Sequence, residues 1–166
     1  MEKIKWCLHV NNGMELVDPN DNLSKVYLDK SEEALKASIA VKGNISWEIS
    51  SSYYSMYFAL YSILMKIGIK CENHSCTIEF MKRFLSKYFS DDDIKLIKDS
   101  MGLRIDAQYY VDRTISEIKY KKLINKSPYF IAKCKDVRVN IKSSEIKDIR
   151  SKIGGMLNIK SKTSKK

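Results

Sequence analysis

The stretch Ser46-Trp-Glu-Ile-Ser-Ser-Ser-Tyr-Tyr-Ser-Met-Tyr-Phe-Ala-Leu-Tyr-Ser-Ile-Leu-Met-Lys-Ile67, followed by Gly68, decides the fold. Its apolar residues, among them Tyr53, Tyr54, Tyr57, Phe58, Leu60, Tyr61, Ile63 and Leu64, fall nearly all round a helix. A helix apolar on every side must be enclosed by others. The spacing therefore predicts a central helix over 46–67, capped by Ser46 and stopped by Gly68. Ser55, Ser62 and Lys66 interrupt the apolar run between Tyr53 and Ile69, which is too polar and too short to cross a membrane.

Outward from this helix the chain supplies its partners. Asp21 or Asn22 opens a helix that runs to about Lys42, with Leu23, Val26, Tyr27, Ala34, Leu35 and Ile39 on the face expected to be buried. A third helix covers roughly Ser75 to Tyr88, and Ser90-Asp-Asp-Asp93 starts a fourth that reaches towards Tyr110, because a capping hydroxyl and carboxylates both favour a helix N-terminus. A fifth begins near Ser116 and enters the 130s, with Pro128 expected to kink or split it near Ser127. A last short helix runs from Ser143 to Gly154-Gly155. Before all of these, two β-prone runs in residues 3–17 flank Asn11-Asn12-Gly13, the signature of a tight hairpin. It would pack on the helices through Trp6 and Leu8 or Leu16. The predicted fold is all-α, an up-and-down bundle of four to five helices with a short N-terminal β-hairpin. Its units are the hairpin extension over 1–20, the bundle over 21–157 and a disordered basic tail over 158–166.

With 166 residues, 44% of them hydrophobic and only two prolines and six glycines, the chain has material for one compact core. The net charge of +10 is unevenly placed: residues 1–116 hold 15 basic and 16 acidic side chains, whereas residues 117–166 hold 15 and 4. All the excess is C-terminal, part of it in Lys160–Lys166, and a basic end attracts phosphates or merely solubilises. The four cysteines, Cys7, Cys71, Cys76 and Cys134, without a secretory signal, suggest free thiols in a reducing cytoplasm.

Chemistry-bearing motifs are sparse. Cys71-x2-His74-x-Cys76 offers three zinc ligands where a structural site uses four, so a loop histidine between ordinary thiols is the better reading and no metal is expected. Neither a phosphate-binding glycine loop nor a His-Glu-x-x-His pair is present, and no cofactor is implied. Asp91, Asp92 and Asp93, being consecutive, point different ways and read as capping residues. Two segments stand out: the Ser/Tyr-rich centre Ser50–Tyr61, and Arg104-Ile-Asp-Ala-Gln-Tyr-Tyr110, which places a guanidinium, a carboxylate and two phenols within two turns.

These segments carry a resemblance. The central Tyr53-Tyr54-Ser55-x-Tyr57-Phe58 helix, Gly68 followed by a helix led by His74, and Arg104-x-x-Ala107-x-Tyr109 resemble the HEPN superfamily, the higher-eukaryote and prokaryote nucleotide-binding domains. The likeness covers about residues 22–140, and Trp6-Cys7 with Leu16–Asn20 is similar to small archaeal members. The resemblance implies a homodimeric bundle, often paired with a minimal nucleotidyltransferase in a toxin–antitoxin-like system. Many relatives cleave RNA without metal through an Arg-x4–6-His motif, the arginine stabilising charge on the phosphate and the histidine moving a proton. Here Arg104 is present, but Tyr109 and Tyr110 stand where the histidine would fall, and a phenol titrating near 10 is a poor base at neutral pH. The expected function is accordingly a nucleotide- or RNA-binding module. The alternatives are a metal-independent ribonuclease using Arg104 with Tyr109 or a distant histidine, and a purely structural helical subunit. The ligand-binding candidates are Tyr53, Tyr54, Tyr57, Arg104, Asp106 and Tyr109, with Arg104 and Tyr109 facing Tyr53 or Tyr54 across a groove near the dimer axis. A competing expectation ties Arg104 to a carboxylate, Asp106 or Glu48, as a link between helices.

Overall fold

A computed structural model describes residues 2–163. Among them the chain forms α1 (Glu2–Cys7), β1 (Met14–Leu16), α2 (Asp21–Ala40), α3 (Ile45–Ile67), β2 (Ile69–Cys71), α4 (His74–Phe84), α5 (Asp91–Tyr109), α6 (Glu117–Asn140) and α7 (Ser143–Thr163). The fold is the expected helical bundle with one two-stranded sheet. Helix α3 is its axis, packed against α2, α4, α5 and α6, and most of its residues are buried on every side. Gly68 ends it in the left-handed conformation, φ 83°, which a Cβ would resist. Arg150 from α7 donates to the carbonyls of Val17, Ile67 and Gly68 at 2.7–3.0 Å, placing a cation at the negative end of α3. The α3 N-terminus differs from expectation. Asn44, not Ser46, is the N-cap, and Glu48 reaches back to accept from the Gly43 amide at 3.1 Å.

Several other expectations are corrected. Residues 3–10 do not form a hairpin strand: residues 2–7 are helical, and β1 pairs antiparallel with β2, so that Met14 faces Cys71 and Leu16 faces Ile69. Ile4, Cys7 and Leu8 are the buried residues of this arm, a helical rather than an alternating spacing. Helix α4 is one turn shorter than expected, ending at Phe84. Helix α6 runs unbroken through Pro128; the Ile124 carbonyl that a proline cannot serve accepts instead from the Ser127 hydroxyl at 3.4 Å. Helix α7 continues through Gly154 and Gly155, neither of which takes the positive φ of a helix stop. The end of the expected disordered tail, residues 164–166, lies outside the described residues.

The face α2 turns inward is not its apolar one. Its buried residues are Ser24, Ser31 and Ser38, seven apart, whereas Leu23, Val26 and Ile39 are exposed and Tyr27 and Leu35 half-buried. The small serines let α2 and α3 approach closely, and Ser24 and Ser31 satisfy themselves by donating to the α3 carbonyls of Ser62 and Ser55, each at 2.7 Å. Ser90 and Asp93 form the predicted capping box of α5.

Two of the four expected free thiols are paired: Cys7 and Cys76 form a disulfide that joins α1 to the first turn of α4. Cys71 and Cys134 are free and buried. Four of the fifteen basic residues in 117–166 meet carboxylates from earlier in the chain, through Lys119–Asp99, Lys133–Asp93, Lys135–Glu32 and Arg138–Asp21. The charge asymmetry is thus partly absorbed within the bundle.

Candidate functional site

Tyr53, Tyr54 and Tyr57 are spaced along α3 so that Tyr53 and Tyr57 lie one turn apart and Tyr54 on the neighbouring stripe. Tyr53 is fully enclosed, Tyr57 nearly so and Tyr54 half-buried. Burial raises the pKa values of Tyr53 and Tyr57 well above that of a normal phenol, so neither ionises near neutrality. The residue that joins them is His74, the first residue of α4. Its imidazole stacks on Tyr57 with centroids 3.9 Å apart and planes 9° from parallel, and the Tyr53 hydroxyl lies 2.6 Å from its Nδ1. That hydroxyl has no other partner among the described residues, and the tautomer of the ring decides which of the two groups donates.

Arg104, on α5, closes the cluster. Its Nη2 donates to the Tyr54 hydroxyl at 2.7 Å, and its guanidinium lies 5.2 Å from the Tyr54 ring centroid and 5.6 Å from that of Tyr109. Neither expected carboxylate takes it. Asp106 pairs with Arg113, which also covers the Tyr110 ring at 3.8 Å. Glu48 is buried and accepts from Tyr120 at 2.8 Å and from Gly43. Arg104 makes no salt bridge among the described residues, and its Nε is buried without a hydrogen-bond partner. A half-buried cation with an unserved donor costs free energy unless an anion completes it.

Of the six candidates, the structure gathers Tyr53, Tyr54, Tyr57 and Arg104; Tyr109 sits at their edge, exposed, and Asp106 turns away to Arg113. Sequence reasoning left His74 out of this set. The signal was its place at the head of a helix, but its approach to Arg104 is set by tertiary structure, since 30 residues separate them. Cys76 is bonded to Cys7, which removes it from any zinc set with His74, and among the described residues no group of three or more His, Cys, Asp or Glu is placed to hold a metal. No helix among the described residues is long and apolar enough to cross a membrane.

His74 is held down to about 4, first by burial and then by the nearby Arg104 charge. An unfolded histidine titrates near 6.5, so between those values the unfolded chain binds a proton that the native one does not. The contribution is fully present above pH 6.5 and is lost as the pH falls towards 4. Solvent at the half-buried ring reduces the loss to about 1–2 kcal/mol. The melting temperature should drop between pH 6.5 and 4, and His74→Phe should flatten that slope; equal slopes would show that His74 is not the titrating group.

The sequence model of the HEPN domain matches residues 24–137, which include every residue of this cluster. No curated protein matches the chain.

Proposed function

Because the chain belongs to the HEPN domain family, we propose that it is a homodimeric module that binds the phosphate of a nucleotide or RNA at Arg104, beside a minimal nucleotidyltransferase partner in a toxin–antitoxin-like pair. The observation that carries this reading is the unpaired guanidinium. Arg104 is held by a phenol, not a carboxylate, and a phosphate beside the guanidinium would supply the counter-charge it lacks. His74 supports the same reading as a neutral imidazole that adds no charge beside Arg104. Leu23 and Val26, which α2 leaves exposed, are apolar surface for a second copy to cover.

The ribonuclease alternative gains one supporting feature, a histidine beside Arg104. It lacks a strong base: burial and the Arg104 charge hold His74 down to about 4, and Tyr53 and Tyr57 stay protonated. Binding is therefore favoured over cleavage. The test is titration of the protein with a 5′-phosphorylated oligoribonucleotide in EDTA. Intact RNA bound with an affinity that falls steeply with salt supports the proposal. Cleaved RNA would favour the nuclease, and no binding at low salt would leave a structural subunit.

A further inference from the structure

We propose that Trp47 is the platform on which the base of a nucleoside phosphate stacks while its phosphate sits at Arg104, an inference that rests on the phosphate-binding reading above. Trp47 is 61% exposed in the first turn of α3, an unusual position for the largest apolar side chain. With Ser50 and Gln108 it lines both of two adjoining surface grooves. One, of about 310 Å³, is floored by Ala34 and Ala37 and bounded by Tyr54 and Phe58. The other, of about 330 Å³, is bounded by Ser46, Ala107 and Tyr109. Arg104 lines neither groove but touches a wall of each: Tyr54 of the first accepts its hydrogen bond, and the Tyr109 ring of the second lies 5.6 Å from its guanidinium.

The spacing suits the ligand. Residues 47, 51, 54 and 58 form one stripe along α3, and seven residues of helix place Trp47 about 10 Å from Tyr54 along the axis. A base on the indole and a phosphate at the far end of Tyr54 are separated by the sugar between them. Small side chains, Ala34, Ala37 and Ser51, keep the path open. No charged side chain lines the groove, and the cation lies behind Tyr54, a complement to a nucleoside phosphate rather than to a free phosphate.

Adenosine 5′-monophosphate and ribose 5-phosphate are titrated into the wild-type protein, Trp47→Ala and Trp47→Phe, with light scattering and melting run on each. The monophosphate should bind the wild type about 5- to 100-fold more tightly than ribose 5-phosphate. Trp47→Ala should erase that preference with ribose 5-phosphate binding unchanged, and Trp47→Phe should restore most of it. Equal affinity of the wild type for both ligands, or a preference that survives Trp47→Ala, overturns the platform while leaving phosphate binding at Arg104 intact. A Trp47→Ala protein that changes its oligomeric state or loses stability also overturns it, by assigning the indole to a subunit contact or to packing. If neither ligand binds the wild type, the phosphate-binding reading fails first and the platform with it.

Discussion

Replacing Tyr57 by alanine should cost about 3–5 kcal/mol of stability, the range for truncating a buried aromatic. The ring is 6% exposed, stacks on His74 at one face and lies 5.8–6.1 Å from Tyr53 and Tyr61. Its hydroxyl donates a long bond of 3.4 Å to the Cys71 carbonyl. The ring, not the hydroxyl, therefore carries the effect, and Tyr57→Phe should cost about 1 kcal/mol. For a chain of this length the alanine change corresponds to a fall in melting temperature of about 10 °C. A loss below 1 kcal/mol in chemical denaturation would mean that the aromatic stack is not the core of the site.

Reduction of the Cys7–Cys76 disulfide should have an effect of similar size. The bond closes a loop with a sequence separation of 69, for which chain entropy gives about 4 kcal/mol. It also ties down α1, a helix too short to persist alone, and fastens the turn of α4 that presents His74. A reductant, or Cys7→Ser with Cys76→Ser, should lower the melting temperature by about 10 °C. Thiol titration of the denatured, unreduced protein should find only Cys71 and Cys134. Four reactive thiols, or a melting curve indifferent to reductant, would exclude the cross-link.

The residues that reveal themselves in sequence are those whose role is local. Helix α3 is legible because its apolar residues leave no solvent face, and α5 because Ser90 and Asp93 are a self-contained cap. What depends on distant partners is not legible. Residues 3–10 alternate well enough to pass for a strand, although Ile4, Cys7 and Leu8 carry the helical spacing that their packing on α4 selects. Ser24, Ser31 and Ser38 look like a polar face until α3 supplies the carbonyls that satisfy the first two, Ser38 donating to Leu35 of its own helix. Gly154 and Gly155 end a helix only when the backbone turns left-handed, and here it does not.

The candidate site divides the same way. Arg104 and the tyrosines stand out by residue type, and the family resemblance places them together. The missing histidine of the Arg-x4–6-His pattern is a property of α5 alone, whereas the histidine beside Arg104 comes from α4. Asp106, two residues from Arg104 in sequence, is directed to Arg113 instead, because neighbours two apart on a helix face different ways.

The phosphate-binding claim turns on whether Arg104 is kept for a ligand or for the fold. In the absence of a ligand its Nε is unserved and its charge unpaired, so its removal relieves a desolvation cost while losing one bond to Tyr54. The deciding measurement is the affinity of Arg104→Ala for a 5′-phosphorylated oligoribonucleotide, taken together with its melting temperature. Binding should weaken about tenfold or more, as expected for a lost charge-assisted contact, with melting within about 2 °C of wild type. Unchanged binding, together with a fall of several degrees in melting, would contradict the claim and make Arg104 a packing residue.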